Sequence, residues 1–271
     1  MFTITRNGLE AIQKDLGVIS NNIANANTNG FKRSRSEFVD MYSKALSDNP
    51  NNQSGLGALF QGTQKQMIQG SPIMTGGALD LNISGRGFFV LSPKVGSEPR
   101  FTRDGSMGLD AFGNLITTDG FNIAGYKRDE IDGIVKTVAE PINIPLSITN
   151  NEGRTVTLTA IGVDPEGNIE TTYGLNNIIK RGQIALAKFS NETALKSVGA
   201  NTYKATQKSG EQVLGSGLEG NFGEIISGAL ESSNTNISNE MVSLLKTQQA
   251  FNGNARILQT SVDVTKILMG N

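Results

Sequence analysis

Asp104 and Asp110 could be called a carboxylate pair for acid–base chemistry, and Asp164-Pro-Glu-Gly167 has the outline of a cation loop. Neither pattern is complete. Asp104-Gly105 and Asp110-Ala-Phe-Gly113 read as turns, and the ligand spacing of a calcium loop is missing after Asp164. Gly85-Arg-Gly87 is a fragment of a phosphate loop, with no GxGxxG or GxxxxGK[ST] around it, so glycine in a strand turn is the simpler reading. Lys32-Arg-Ser-Arg35 could meet a nucleic-acid backbone. The chain, however, carries 24 Lys and Arg against 25 Asp and Glu, a net charge of -1, and no aromatic platform accompanies the run. A solvated face or a salt bridge between subunits fits it better, and no nucleic-acid partner is expected. The asparagines of Asn21–Asn29 could bind a polar ligand, but amides at a helix end usually satisfy loose backbone carbonyls.

The residues that most enzymes use are missing. The chain of 271 residues has no Cys, no His and no Trp. Thiolate chemistry, disulfides and imidazole general bases are therefore excluded, as are the commonest ligands of transition metals. No cofactor or metal is expected. A carboxylate enzyme on a β scaffold, such as a glycan-cleaving protein, stays open as a rival. So does a soluble binding module with a closed helix hairpin. The N-terminal residues show no apolar run of signal-peptide length, and no run approaches the ~20 residues that span a bilayer. Membrane insertion is not expected; the chain is cytoplasmic or leaves the cell by a route that cleaves nothing.

The elements that position these residues divide the chain into ends and middle. Near the N-terminus Leu9, Ile12, Leu16, Ile19 and Ile23 follow steps of 3, 4, 3 and 4, a heptad seam on one helical face. Glu10, Gln13, Lys14 and Asn21 fall opposite. The helix should stop in Asn25–Gly30, where Gly30 suits a left-handed conformation. Near the C-terminus Ile237, Met241, Leu244, Phe251, Ala255, Leu258 and Val262 keep the same spacing, with Gln248 as a polar seam position. Asn234-Thr-Asn236 offers cap oxygens, and Glu240 suits the first turn of a helix over 237–269. Gly17 and Gly253 are weak spots.

The middle reads as short strands with glycine turns. Leu79–Ser84 alternates as a half-buried strand, Phe88–Leu91 is a short apolar strand, and Phe101–Gly105 and Asp110–Ile116 look like strand and turn pieces. Asp119-Gly120 and Pro165-Glu-Gly167-Asn168 signal turns, residues 155–163 alternate, and Gln183–Phe189 reads as one further strand. Residues 46–57 are polar and aperiodic, a loop. The fold class is α+β: N- and C-terminal helices packed as a coiled-coil-like pair, a β-rich middle domain, and extended linker or hairpin segments between. The helical domain covers 1–30 and 235–271, the linkers 31–75 and 206–234, and the β domain 76–205. A lone amphipathic helix is marginal in water. Val18, Val242, Leu245, Ile257, Val264, Ile267 and Leu268 lie off the main seams and suit contact with several neighbours. Periodicity leaves two outcomes open: self-assembly of the helices, or an intramolecular helix hairpin docked on the β domain.

Asn21-Asn-Ile-Ala-Asn25-Ala-Asn-Thr28-Asn-Gly30-Phe31-Lys32, with Gly8-Leu9 ahead of it, resembles the N-terminal signature of bacterial flagellar rod and hook proteins. Gly228-Ala-Leu-Glu231-Ser-Ser-Asn234-Thr-Asn-Ile237, then Glu240-Met-Val242, Gln249, Phe251 and Asn254-Ala255, is similar to that family's approach to its C-terminal helix. Leu79–Ile83, Gly87–Phe89 and Phe101–Gly105 resemble its first β block, and Gly182–Phe189 and Gly199–Tyr203 its last. The likeness covers almost the whole chain in order. It implies a homo-oligomeric helical tube, with paired terminal helices as the inner wall around an export channel. It implies neighbouring rod and hook proteins as partners, and export without cleavage through the flagellar type III export apparatus. Location in the basal-body rod or the hook follows. Leu9, Ile12, Leu16, Ile19 and Ile23 would carry the inner-wall packing with Met241, Leu244, Phe251, Leu258 and Val262; Asn22, Asn25, Gly30 and Phe31 would join neighbouring subunits. Residues 182–242 look hook-like, while the short middle and the polar stretch at 46–57 suit a rod protein, so both subtypes stay open.

Overall fold

Apolar spacing makes the ends helical and period-2 alternation makes the middle β. In the computed structural model, which describes residues 2–42, 55–92, 98–129, 133–134, 139–149, 153–174 and 177–270, the chain forms two units. The first comprises Met1–Ala26, Lys32–Gln66 and Thr235–Asn271; the second comprises Asn27–Phe31 and Met67–Asn234.

The first unit holds helix α1 (Phe2–Ala24), strands β1 (Ser34–Tyr42) and β2 (Gly55–Lys65), and helix α2 (Ile237–Leu268). At 1.5 Å per residue the 32 residues of α2 span about 48 Å. Asn236 caps α2, its side chain accepting from the Asn239 amide at 3.1 Å, and Glu240 lies in the first turn, favourable to the helix dipole. β1 and β2 form an antiparallel hairpin from Ser34↔Lys65 to Tyr42↔Gly55, with irregularities at Glu37/Phe38 and Met41/Tyr42. The rings of Phe38 and Phe60 meet edge-on, 6.1 Å apart. α1 contacts both α2 and the hairpin. The loop expected over 46–57 is cut short, because residues 55–57 already belong to β2; the rest of that stretch lies outside the described residues.

The second unit is built on two antiparallel sheets. A six-stranded sheet runs in the order Lys196–Ser197, Thr202–Lys204, Arg100–Thr102, Phe88–Leu91, Leu186–Lys188, Val213–Gly215. A seven-stranded sheet is centred on Ala124–Asp129, Asn177–Ile184, Asn168–Tyr173 and Thr155–Val163. Two-stranded pairs join Leu81–Ser84 to Glu224–Ser227 and Pro72–Met74 to Ala229–Glu231. Phe88–Leu91 is buried on both faces. Phe89 and Leu91 enter a core with Leu81, Ile83, Leu115, Ile123 and Ile184, while Phe88 and Val90 enter another with Phe101, Phe189 and Tyr203.

Two strand expectations are corrected. Leu81–Ser84 is not half-buried: Asn82 on its polar face is as fully covered as Leu81, because the strand has packed neighbours on both sides. Gln183–Phe189 is not one strand. Asn177–Ile184 ends at Ala185, whose amide donates to the Ala124 carbonyl, and Leu186–Lys188 begins in the other sheet. Alternating Ile184, Leu186 and Ala185, Ala187 serve different cores, so the apolar pattern runs unbroken through the change of sheet.

Candidate functional site

The less exposed positions of α2 are Glu240, Ser243, Leu244, Thr247, Phe251, Asn254, Ala255, Leu258 and Ser261. Within them, Glu240, Leu244, Thr247, Phe251, Asn254, Leu258 and Ser261 step by 4 and 3 in turn. One half of this stripe is apolar (Leu244, Phe251, Leu258) and the other half polar. The polar half meets a polar line on α1. Asp15 Oδ2 accepts from Thr247 Oγ1 at 3.1 Å, and Asn22 Nδ2 donates to Glu240 Oε2 at 3.2 Å. A methyl group added at Gly8 would stand 3.3 Å from the Asn254 amide nitrogen. Gly8, Asp15 and Asn22 advance by seven residues while Asn254, Thr247 and Glu240 retreat by seven, so the helices run antiparallel.

Glu240 and Asn22 are buried, at 2% and 1% exposure. Arg33 Nε pairs with Glu240 Oε1 at 3.2 Å. The Asn22 amide also reads the backbone of Ser34, donating to its carbonyl at 2.8 Å and accepting from its N–H at 2.9 Å. Buried polar groups satisfied in this way are not a liability. At the base of the hairpin Lys65 donates to the Lys32 carbonyl at 2.9 Å, and burial pulls its ammonium below the ordinary lysine range. Of Lys32-Arg-Ser-Arg35 only Arg35 is exposed, paired with Glu37; Lys32 and Ser34 are buried and Arg33 serves Glu240.

Within the single chain the expected α2 seam divides into covered and exposed positions. Leu244, Phe251 and Leu258 are on the covered stripe, but Met241 is 52% and Val262 38% exposed. Each residue turns a helix by about 100°, so once Glu240 takes the inner position Met241 is carried off it. Hydrophobicity cannot find that stripe, because four of its seven positions are polar. On α1, Ile19 is buried and Leu9, Ile12, Leu16 and Ile23 are half-buried; Glu10, Gln13, Lys14 and Asn21 face solvent. The surface left over on α2 is mixed, and Met241, Val242, Leu245, Ile257, Val264, Ile267 and Leu268 are exposed among its polar residues. Phe38, Val39 and Leu59 on the hairpin are exposed as well.

In the second unit the turn after α1 is fixed from within. Asn25, on the first unit's side of that turn, donates its side-chain amide to the Asn21 carbonyl at 2.9 Å. Gly30 has φ +65, and a Cβ there would lie 2.6 Å from the Asp104 backbone nitrogen. Its amide donates to the Glu231 carbonyl at 2.8 Å. Phe31 is buried, and its carbonyl accepts from the Asn234 amide at 3.4 Å. Asn22, Gly30 and Phe31 are thus buried within the single chain. Nearby, Arg103 Nη1 pairs with Glu231 Oε2 at 3.3 Å, Nη2 donates to the Gly85 carbonyl at 2.8 Å, and Glu231 Oε1 accepts from the Gly70 amide at 2.8 Å. Burial pushes the Asp104 carboxyl up, against the hydrogen bond from the Ser106 amide. Among the described residues, no group of three or more acidic, His or Cys side chains could hold a metal ion, and no helix is long and apolar enough to cross a membrane.

Three stretches match family descriptions. Residues 3–32 match "Flagella basal body rod protein", residues 82–171 match "Flagellar hook protein FlgE/F/G D1 domain", and residues 226–269 match "Flagellar basal body rod FlgEFG protein C-terminal". The flagellar basal-body rod protein FlgG of Buchnera aphidicola subsp. Acyrthosiphon pisum is 33% identical over 95% of this chain and 94% of its own length. FlgG of Agrobacterium fabrum is 32% identical over 99% and 97%. The flagellar hook protein FlgE of Helicobacter mustelae is 43% identical, over 46% of this chain and 30% of its own length.

Proposed function

The chain belongs to the flagellar rod and hook family, and on that premise we propose that it is a rod subunit which polymerises into a tube through the outer face of its terminal helices. It is a structural axial protein of the flagellar basal body. α1 and α2 act as an antiparallel, coiled-coil-like pair that lines the channel. Residues 76–205 make the outer domain of the tube, and 31–75 with 206–234 join the two. Assembly covers the apolar surface that the monomer leaves in water, and the packed shaft carries torque. Other copies, neighbouring rod and hook proteins and the type III export apparatus are the partners, with export proceeding without cleavage of a leader.

The observation that carries this reading is the set of large apolar residues that α2 leaves exposed in the single chain, Met241, Val242, Leu245, Ile257, Val264, Ile267 and Leu268. The heptad step of the three meeting points, two of them hydrogen bonds, supports coiled-coil-like pairing. Rod rather than hook is favoured by coverage: the match extends over 94% of a rod protein but 30% of a hook protein. Leu245 and Ile257, 59% and 52% exposed, sit off the intrachain stripe. Replacing both with Asp should abolish polymerisation, read by sedimentation and electron microscopy, while the thermal transition of the β-rich unit stays where it was. Wild-type polymers from that variant would refute the reading.

A further inference from the structure

We infer that Asn22 with Glu240 and Arg33, and Asp15 with Thr247, set the register of the helix pair, excluding pairings displaced by one heptad; this rests on the paired-helix reading above. The apolar half of the α2 stripe cannot do so. Leu244, Phe251 and Leu258 repeat every seven residues, so a pair slid by seven residues would bury nearly the same surface. The polar half is not interchangeable. Asn22 is committed to both Ser34 backbone groups and has one amide hydrogen left, which goes to Glu240. Displacement by one heptad places Thr247 or an earlier residue opposite Asn22 and carries Glu240 away from both Asn22 and Arg33. A buried carboxylate then has no partner, which is the strongest penalty such an interface can impose. Asp15 loses the Thr247 hydroxyl in the same movement. A slip of seven residues shifts α2 by about 10.5 Å along its axis. It would move the exposed residues from Ile257 to Leu268 out of place for any neighbour, so register within a subunit fixes spacing between subunits.

The competing explanation is that the chain connection at residues 235–236 holds α2 in place and the polar contacts are incidental. Cysteine cross-linking separates the two, because the chain has no Cys of its own. Gly8→Cys with Asn254→Cys reports the observed register; Gly8→Cys with Ser261→Cys reports a pair displaced by one heptad. Both are oxidised as dilute monomer. In the otherwise native chain the first bridge should form at least tenfold faster than the second. Adding Asn22→Leu and Glu240→Leu should bring that ratio to within about threefold, whereas Glu240→Gln, which keeps an acceptor for Asn22, should leave it above fivefold. If the leucine variant loses its helical circular dichroism, Asp15→Leu with Thr247→Leu is read instead, and the ratio must fall at least threefold. An unchanged ratio in a folded leucine variant overturns the inference in favour of the connection. Since the rates are read in monomer, a chain that fails to polymerise yet shows the predicted ratios defeats the assembly reading and leaves the register intact.

Discussion

Among the described residues, Glu240 and Glu231 are the two carboxylates taken fully out of water, and each is given a cation and an amide. Glu240 has Arg33 and Asn22; Glu231 has Arg103 and the Gly70 N–H. Arg103 is itself buried, stacked over the Phe88 ring at 5.1 Å, and bonded to strand carbonyls. Replacing Arg103 with Met keeps the volume but strands a buried carboxylate, which costs about 3–5 kcal/mol. Chemical denaturation of the β-rich unit should show a loss in that range, and a loss below about 1 kcal/mol would mean the pair is incidental. Neither partnership was legible in the sequence. Arg103 and Glu231 stand 128 residues apart, and Asn22 and Glu240 stand 218 apart. Glu240 could be assigned only to the first turn of a helix, where it does lie; its burial depends on an asparagine at the far end of the chain. Gly30 was legible, because a left-handed turn leaves few other choices.

At the scale of elements, the two helices and their limits follow from pattern: α1 ends at Ala24 beside the asparagine run, and Asn236 caps α2. The strands at 88–91 and 155–163 follow likewise. What misled was the assumption that alternation means one wet face. Leu81–Ser84 alternates and is buried on both, and Gln183–Phe189 changes sheet at Ala185 without any change in its apolar pattern. On α2 the polar half of the covered stripe gives no hydrophobic signal, since its inner residues include Glu240, Thr247, Asn254 and Ser261. Gly17 and Gly253 are exposed helical glycines with nothing within 4 Å of an added Cβ. Gly17→Ala and Gly253→Ala should therefore each raise the stability of the helical unit by roughly 0.5–1 kcal/mol. The midpoint of the helical signal in denaturant should rise; a fall would place a close neighbour against one of these positions.

For the whole molecule, charge and composition set the class before any contact is known. With no His or Cys and a net charge of -1, the chain has little to offer catalysis or nucleic acid. What it has in surplus is helical apolar surface at one end of the sequence. Past Ser261, the last half-covered position, α2 exposes Val262, Val264, Ile267 and Leu268 together. A segment with few buried contacts opens locally at little cost. Hydrogen exchange, followed separately in dilute monomer and in assembled polymer, reads this directly. Amides of residues 257–268 should exchange quickly in the monomer and at least a hundredfold more slowly in the polymer, while Phe88–Leu91 is equally protected in both. Slow exchange across residues 257–268 in a monomer that shows no tendency to associate would contradict the claim that sister copies cover this face.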